Sequence, residues 1–419
     1  MIRILHFSDL HLHTNYDQEK VLDSFLEDIQ FNGTFDLVVC SGDIAARGNF
    51  QKENILAFFS KIKEIVGKNI PIVTCPGNHD INLKKRKPIY DVMYNNVTSP
   101  AQANTLFNDL HNDPDSNILG HLKDYNEIAS EITLENLENK IFFTKEVDIC
   151  QKKVGIASLN SAWFTKGGGR NDYGNLYIAQ HQVERASDEI RDCELKIAVL
   201  HHPLDWISPD EKTYIQNTLP NNFDLLLCGH MHNNTATTIA SNLGSLFVSN
   251  TGCIYENRQF FNGYSIIEIQ EGSIRTIARE YYDQRNTFDK SIRFSSDSTT
   301  LFSFEKKKEI SLISGEIIRH INLTTNQKLL STNSGVAPQE LSTIFVEPPL
   351  SHTNEKEYYA LAGNSEKSKL TTLDELYKSD GNIIFLGKRE SGKCTLLNFI
   401  ITNEFQKIHP QAQLGIVID

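Results

Sequence analysis

The sequence contains no run of the roughly 18 or more apolar residues that a membrane-spanning helix needs. Its N-terminus also lacks the charged and apolar segments of a signal peptide, because Ile2–Phe7 already has the pattern of a strand. The seven cysteines are widely spaced and form no C-x-x-C pair, which disfavours a disulfide framework. We therefore predict a cytoplasmic protein without a membrane partner.

Positive charge is also scarce, since 41 Lys and Arg residues stand against 53 Asp and Glu residues and give a net charge of -12. This balance disfavours a protein that holds nucleic acid through bulk positive charge. It does not exclude a nuclease, because bound divalent metals supply local positive charge that a count of side chains omits.

The length of 419 residues favours two domains. Short apolar runs alternate with amphipathic stretches through most of the first half, which is typical of an α/β fold, and strands follow one another from about Thr237. The predicted strands of the first part are Ile2–Phe7, Asp36–Cys40, Ile70–Cys75, Val154–Leu159, Leu195–Leu200 and Phe223–Cys228, and its helices are Gln18–Gln30, Lys52–Val66 and Ala179–Arg191. We predict a first domain over residues 1–285 with a helical insertion at 84–140, a connector at 286–350 and a second module at 351–419.

Five short polar blocks stand at or just after the ends of predicted strands. They are Ser8–His11, Gly42–Asp43, Gly77–Asp80, His201–Pro203 and Gly229–His232. Ligands gather at strand ends of an open α/β sheet, because loops from elements far apart in sequence converge there. The blocks should therefore form one site.

The blocks offer carboxylate, imidazole and amide groups, which divalent metals accept, and they contain no cysteine, which disfavours a structural zinc site. A single metal would leave several of these groups unused, whereas two metals that share a bridging carboxylate would use them all. Two metals can clamp a phosphate and stabilise both attack and departure in an in-line displacement. The pattern therefore predicts phosphoryl chemistry.

In their order along the chain, the motifs D-x-H, G-D, G-N-H-D, H and G-H-x-H resemble the signature of the calcineurin-like metallophosphoesterases, over residues 1–285. The resemblance implies a four-layer αββα sandwich with a dinuclear site between two mixed sheets. It implies Asp9, His11 and His232 as ligands of a first metal, Asn78, His201 and His230 as ligands of a second, and Asp43 as the bridge. It further implies that His79 faces the phosphate, where it stabilises the transition state or protonates the leaving oxygen, and that Asp80 orients its ring.

Two adjacent histidines leave an alternative at the second metal. The resemblance favours His201, which directly follows its strand, and gives His202 a supporting role, a substrate-facing role or none. His13, just beyond the first metal motif, is a candidate for contact with substrate.

Three other features are candidates for substrate recognition. The basic run Lys84–Lys87 either meets the phosphates of a polymeric substrate or is a solvated loop. Arg170, at the end of a glycine-rich segment, either pairs with a phosphate or lies on a plain surface loop. Asn160 ends a predicted strand at a place that lines the pocket in similar enzymes.

A second motif follows a predicted strand at Asn382–Leu386 and precedes a helical stretch. Its Gly-x4-Gly-Lys skeleton resembles a Walker A phosphate-binding loop, which implies binding of ATP and Mg²⁺ in the full-length protein. The implied contacts are Gly387, Gly392, Lys393, Cys394 and Thr395. Cys394 stands where Ser or Thr normally meets magnesium, which disfavours metal-assisted nucleotide hydrolysis there. Too few residues follow for a complete NTPase domain, so we predict the start of a P-loop α/β domain.

This domain order resembles STAND-type NTPases, in which a nucleotide-driven switch controls an N-terminal effector and which often act in defence against phage. We therefore predict a metal-dependent phosphodiesterase that hydrolyses nucleic-acid or nucleotide diesters. We expect two Mn²⁺ ions, with iron, zinc or nickel as alternatives, and homo-oligomers formed through the NTPase module. The competing hypotheses are a cyclic nucleotide phosphodiesterase, a catalytically inactive regulatory fold, and a protein whose main activity is nucleotide binding at Lys393.

Overall fold

The structure is a computed structural model, and it describes residues 1–12, 16–112, 119–167, 171–241, 244–256, 261–270, 272–293, 299–303, 350–351, 370–373 and 396. The chain divides into two compact units, Met1–Lys307 and Lys308–Asp419. Among the described residues, no helix combines the length and apolar character required to cross a bilayer.

Helices and strands alternate along the first part of the chain, and strands dominate after α7. The helices are α1 (Tyr16–Phe31), α2 (Lys52–Val66), α3 (Pro88–Asn95), α4 (Pro100–Asn112), α5 (Lys123–Thr133), α6 (Gln180–Glu189) and α7 (Pro209–Asn222). The strands are β1 (Ile2–Phe7), β2 (Leu37–Cys40), β3 (Ile72–Thr74), β4 (Phe143–Ile149), β5 (Lys152–Ser158), β6 (Leu195–Leu200), β7 (Leu225–Cys228), β8 (Thr235–Ser241), β9 (Gly244–Asn250), β10 (Gly263–Gln270), β11 (Ser273–Tyr282), β12 (Thr287–Lys290), β13 (Thr299–Ser303), β14 (Leu350–Ser351) and β15 (Leu370–Thr371).

The first unit contains two mixed sheets. In the first sheet, the order is β12-β11-β10-β1-β2-β3, and β13 also pairs with β11. Strands β1, β2 and β3 run parallel, whereas β10 joins β1 in antiparallel register. In the second sheet, the order is β4-β5-β6-β7-β9-β8, with parallel pairing from β5 to β9 and antiparallel strands at both edges. Both sheets therefore place several parallel strand ends at one edge.

Side chains on the two faces of the second sheet belong to two separate apolar cores. On β6, Ile197 and Val199 join the apolar cluster that includes the first sheet, whereas Ala198 and Leu200 join a cluster that includes residues of α6 and α7. Successive side chains of a strand point to opposite faces, so this strand is buried on both sides. The near-continuous apolar sequence of β6 follows from that burial.

Helices α1 and α2 cover the other face of the first sheet. The apolar residues Val21, Phe25 and Ile29 recur every four positions along α1 and are buried, as expected for one face of a helix. The rings of Phe25 and Phe59 pack on Phe7 of β1, with centroid distances of 5.4 and 6.2 Å. These contacts fix the strand that leads into the first metal motif.

Residues 84–140, predicted as a polar helical insertion, contain α3, α4 and α5 and contribute directly to the core. Tyr90 and Phe107 are buried in the same apolar cluster as Trp163, and Ile128 of α5 belongs to the cluster of the first sheet. The many polar residues of the segment lie between buried positions at helical spacing. The segment is thus polar in composition but amphipathic in structure.

The predicted mixed α/β fold with two sheets is confirmed. The first sheet extends beyond the predicted boundary at residue 285, because β12 and β13 both pair with β11. In the second unit, β14 and β15 form a short antiparallel pair. Of the predicted phosphate-binding loop, Gly387, Gly392, Lys393, Cys394 and Thr395 all lie outside the described residues, so the P-loop stays a prediction.

A buried ion pair ties α1 to the first sheet. The Arg279 guanidinium on β11 donates to both carboxylate oxygens of Asp28, with Nε 2.9 Å from Oδ2, and the Tyr264 hydroxyl also donates to Oδ2 at 2.7 Å. The side chains of Asp28 and Arg279 are only 8% and 6% exposed. Removing Asp28 would take away the close carboxylate of the buried Arg279 charge, whose other carboxylate neighbour, Asp289, lies 4.0 Å away.

We expect Asp28→Ala to lower the free energy of unfolding by about 3–5 kcal/mol, because it strands the Arg279 charge. The measurement is chemical denaturation followed by circular dichroism. Asp23→Ala is the matched control on the same helix, since Asp23 is 71% exposed and lies 4.0 Å from Lys61 Nζ. The control should cost at most about 1 kcal/mol. Equal losses in the two variants would contradict a special role for the buried pair.

Candidate metal centre

The five polar blocks converge where strands of the two sheets end. Strands β1, β2 and β3 of the first sheet lead into the blocks of Asp9, Asp43 and Asn78. In the second sheet, β6 and β7 lead into the blocks of His201 and His230. Parallel strands deliver their carboxyl ends to the same edge of a sheet, which explains why blocks so far apart in sequence meet.

Around Asp9, three side chains form the first group of potential metal ligands, with ligand atoms of Asp9, His11 and His232 within 4.8 Å of one another. Asp9 Oδ1 lies 3.1 Å from His232 Nε2 and 3.7 Å from His11 Nε2. The other oxygen, Oδ2, accepts a hydrogen bond of 2.9 Å from the backbone N–H of His230. Asp9 is therefore held in place while Oδ1 faces two imidazoles.

Asp43 lies between this first group and a second group of potential ligands, formed by His201, His202 and His230. Its Oδ2 is 3.9 Å from His11 Nε2 and 3.3 Å from His201 Nε2, so a single carboxylate oxygen faces a histidine of each group. Its Oδ1 accepts a 2.7 Å hydrogen bond from the backbone N–H of His79. His201 Nε2 in turn lies 3.1 Å from His230 Nδ1.

The amide of Asn78 provides a direct test of whether a metal fits. Asn78 is buried, and within the described residues its Oδ1 has no hydrogen-bond partner. A buried carbonyl oxygen without a partner carries a desolvation cost of about 1–3 kcal/mol. A divalent cation coordinated by that oxygen would offset this cost. The residues present therefore fit a metal centre.

Hydrogen bonds to the far nitrogens orient two histidines. His201 Nδ1 lies 2.8 Å from the carbonyl oxygen of Ser41, and His232 Nδ1 pairs with the carboxylate of Glu256. An acceptor at Nδ1 keeps a proton on that nitrogen, so Nε2, which is directed at the carboxylates, is the nitrogen that would exchange its proton for a metal. His202 differs, because its Nδ1 lies 2.8 Å from the Ser161 hydroxyl and its buried Nε2 has no partner among the described residues.

Electrostatics keep the central carboxylates ionised. Burial alone would raise the pKa of Asp9, but the hydrogen bond from His232 and the positive charge of His201 hold it well below its usual range. Burial likewise opposes ionisation of Asp43, yet the charge and hydrogen bond of His201 lower its pKa to about 2. Burial lowers the pKa of His201 but Asp43 outweighs it and raises the value to about 9. Ionised carboxylates are what a divalent cation requires of its ligands.

The backbone of the site is held in an uncommon conformation. Asp9, His11, Asp43, His230 and His232 all have positive φ angles, between 41° and 69°. Non-glycine residues in the left-handed region cost free energy and persist only where surrounding structure enforces them, typically at functional sites. At this site the enforcement includes backbone hydrogen bonds from Asp9 to Gly42 and from His11 to Asp43, at 3.0 and 2.9 Å.

The glycines of the motifs are required for close approach. A Cβ atom on Gly77 would lie 2.1 Å from Asp43 Oδ1, and one on Gly229 would lie 1.9 Å from Ser8 Oγ. A Cβ atom on Gly42 would lie 2.6 Å from the His201 ring. Each glycine therefore allows one potential ligand to sit against a neighbouring loop.

The two predicted catalytic residues differ in their positions. His79 lines the cleft beside the centre, with its ring 4.6 Å from that of His11, and burial lowers its pKa. Asp80 was predicted to orient the His79 ring, and its contacts differ from that prediction. Its Oδ1 and Oδ2 accept hydrogen bonds from the backbone N–H groups of Ala45 and Gly77, at 2.8 and 2.9 Å. Asp80 therefore braces the turn that carries His79, not the imidazole.

The candidates for substrate contact also differ in where their side chains lie. In the basic run, Lys84 lines the cleft, Lys85 pairs with Asp124, and Arg86 packs over the Tyr90 ring and donates to the carbonyl of Thr165. Asn160 is buried, and its side chain bonds to the backbone of Ile141 and Trp163, so it supports the core instead of the cleft. His13 and Arg170 lie outside the described residues.

Sequence reasoning missed Glu256, which binds His232 and belongs to a group of potential ligands with Cys253. It stands alone after β9, in a loop without a motif, so no local pattern distinguishes it. Trp206, whose ring centroid is 4.0 Å from that of His230, was missed for the same reason.

The chain matches a known protein family and an individual relative. Residues 2–234 match the model of the calcineurin-like phosphoesterase family. A Bacillus subtilis protein described as uncharacterised metallophosphoesterase-like protein YydB is 27% identical over 256 residues, which is 57% of this chain and 50% of that protein. The match thus spans about half the length of that relative.

Solved structures of low sequence identity also match. A dimetal phosphatase from Danio rerio has 11% identity and a TM-score of 0.40, covering 69% of this chain and 98% of that chain. A Vps29 mutant from Entamoeba histolytica has 11% identity and a TM-score of 0.32, covering 72% of this chain and 100% of that chain.

Proposed function

Because the chain belongs to the calcineurin-like phosphoesterase family, we propose that it is a dinuclear-metal phosphodiesterase acting on nucleic-acid or nucleotide diesters. The family generally uses two divalent metals, and its reaction class is phosphoester hydrolysis. The observation that carries the proposal is the position of Asp43, whose Oδ2 faces His11 on one side and His201 on the other. Such a shared carboxylate is what a two-metal site requires.

The proposed ligand sets follow the two groups around that carboxylate. Asp9, His11 and His232 would hold one metal, Asn78, His201 and His230 would hold the other, and Asp43 would bridge them. His201 is favoured over His202, because the Ser41 carbonyl holds the Nδ1 proton of His201 and its Nε2 is the nitrogen nearest Asp43. When bound, the two metals would supply the positive charge that activates a water and offsets charge on the phosphate.

The chain's own residues would position the reacting groups. His79 stands in the cleft, and its ring N–H can donate to a phosphate oxygen or to the leaving oxygen. Its backbone N–H holds Asp43, and Asp80 fixes the turn through Gly77 and Ala45. The turn thus couples the donor to the bridging carboxylate, so the two keep a defined separation.

Mn²⁺ is the first metal to test, with iron, zinc and nickel as alternatives, because oxygen and imidazole ligands accept all of them. The predicted P-loop at Gly387–Thr395, with ATP and Mg²⁺ as its ligand, would make this domain the effector of a STAND-like defence protein in the full-length chain. That coupling remains a proposal drawn from domain order. A cyclic nucleotide phosphodiesterase is the second candidate function, favoured by the net charge of -12.

The direct test is hydrolysis of bis-para-nitrophenyl phosphate by purified protein after removal of metals, with Mn²⁺, Fe²⁺, Zn²⁺ or Ni²⁺ then added back. We expect hydrolysis only after metal addition and about two metals per chain at saturation. Cleavage of labelled DNA would support the nucleic-acid substrate, and cleavage of cyclic nucleotides alone would support the second candidate. A protein that binds metal but cleaves none of these substrates would contradict the proposal and favour an inactive regulatory fold.

We expect Glu256→Gln to weaken metal binding about 10- to 100-fold, because a neutral amide oxygen accepts from His232 Nδ1 more weakly than the charged carboxylate. Competition with a chelating dye measures the change. Glu131→Gln is the control, since Glu131 is an exposed carboxylate that pairs with Lys52. Unchanged affinity in Glu256→Gln would show that Glu256 does not orient His232.

A further inference from the structure

The cleft beside the proposed metal centre has two walls of different chemistry. It has a volume of about 1120 Å³. One wall, next to His79, carries Arg47 and Lys84, whereas the other, next to His230, carries Trp206 and Met231. Hydrolysis of a small diester at the metals requires none of these four side chains, which raises the question of what else a substrate presents to them.

The cationic wall consists of two charges without protein partners. Arg47 and Lys84 are exposed, and the described residues offer neither of them a hydrogen bond or an ion pair. The loop of Arg47 is nevertheless fixed to the turn of His79, because Gly48 donates its N–H to the His79 carbonyl at 2.6 Å. Lys84 stands five residues after His79, and both cations line the same cleft, where they remain available for an anion.

The apolar wall is a rigid aromatic surface. The carbonyl of Trp206 accepts hydrogen bonds from the N–H groups of Gly174 and Leu176, at 3.1 and 3.3 Å. Its indole Nε1 lies 3.2 Å from the sulfur of Met231, a residue that is 49% exposed. The indole also packs edge-to-face with the rings of His230 and Tyr173, at centroid distances of 4.0 and 5.4 Å, and it lines the cleft. An immobilised aromatic ring beside a phosphate site is a surface on which a base can stack.

We propose that the cleft binds a single-stranded oligonucleotide, with a base stacked on Trp206 and a phosphate next to the scissile one held by Arg47 and Lys84. This inference rests on the proposed function, because it places the scissile phosphate at the metal centre. A cyclic mononucleotide has a single phosphate, which the metals would hold, and leaves both cations without a partner. A duplex keeps its bases paired and stacked inside, so the indole could not reach them.

The first measurement is binding of a fluorescently labelled phosphorothioate single strand in Mn²⁺, followed by anisotropy. Trp206→Leu should weaken binding by about 5- to 150-fold, the range for loss of one stacked base, whereas Trp206→Phe should retain most of the affinity. Leucine and phenylalanine both fill the space against His230, so a purely structural role would give the two variants equal affinity. Phe31→Ala is the control, because Phe31 is 86% exposed on α1.

The second measurement is the salt dependence of the same binding. Arg47→Ala and Lys84→Ala should each reduce the slope of log K against log salt by about 0.7, and the double variant by about twice that amount. Lys61→Ala, an exposed cation on α2, should leave the slope unchanged. A duplex of the same sequence should bind more weakly than the single strand and should not respond to Trp206→Leu.

Two results would overturn this inference without affecting the proposed function. Equal single-strand affinity of wild type, Trp206→Leu and Trp206→Phe would remove the stacking surface. An unchanged salt slope in the double variant would remove the second phosphate site. If wild type still hydrolyses bis-para-nitrophenyl phosphate with metal, the proposed function stands in both cases. Absence of hydrolysis of every diester with every metal would overturn the proposed function and the inference together.

Discussion

Replacing Asp43 by asparagine is expected to lower kcat/KM for bis-para-nitrophenyl phosphate by at least about 1,000-fold, which is about 4 kcal/mol of transition-state stabilisation. Asparagine keeps the shape of the side chain and can still accept the hydrogen bond from the His79 N–H through its carbonyl oxygen. It removes the negative charge that faces both His11 and His201. The loss should therefore reflect metal binding and not collapse of the turn.

A measurement of metal content distinguishes loss of metal binding from collapse of the turn. We expect Asp43→Asn to bind fewer than two metals per chain by mass spectrometry, while its thermal unfolding in the presence of a chelator stays close to that of wild type. Asp205→Asn is the matched control, because Asp205 is 71% exposed and pairs with Lys212. An Asp43→Asn protein that retained both metals and full activity would exclude Asp43 as the shared ligand.

The sequence was sufficient to predict which blocks meet, for a clear physical reason. Asp9, Asp43 and His201 each follow a short apolar strand, and parallel strands deliver their ends to one edge. Because β6 is buried on both faces, its apolar run is recognisable without any alternation. The two mixed sheets were expected from the family resemblance, and the structure confirms them.

Other parts of the fold were not predictable from local pattern. Helix α3 has only eight residues, and its exposed Ile89 and Val92 are as apolar as its buried Tyr90 and Tyr94, so the sequence does not show which face packs. The role of Asp80 depended on which donors approach it, and one of these, the N–H of Ala45, comes from a different loop. Glu256 meets His232 only in the folded structure, and no spacing in the sequence encodes that contact.

The positive φ angles of the site are the least predictable feature and the most informative one. Asp9 and His230 adopt left-handed backbone although neither is glycine. The sequence signals this only indirectly, through Gly42 and Gly229, which leave room for a neighbouring loop to approach. A chain that maintains such backbone strain around buried carboxylates has a geometry suited to binding a ligand, since burial alone would favour relaxed apolar packing.

His79→Ala is expected to lower kcat for a nucleotide diester by about 100- to 10,000-fold while leaving two metals bound. The alanine backbone still donates its N–H to Asp43 Oδ1, so the bridging carboxylate keeps its position. Asp80 still braces the turn through Gly77 and Ala45. His181→Ala is the control, because His181 lies on α6 and bonds to Asn108.

Substrates with different leaving groups distinguish the two possible roles of His79. Nitrophenolate departs readily without a proton, whereas a nucleoside alkoxide needs one, so a general acid matters far more for the nucleotide. If His79 protonates the leaving oxygen, His79→Ala should lose much less activity on bis-para-nitrophenyl phosphate than on the nucleotide diester. If it stabilises charge on the phosphate, both substrates should lose similar activity. Full activity on both substrates would exclude either role, and loss of metal in His79→Ala would assign the residue to the structure of the site.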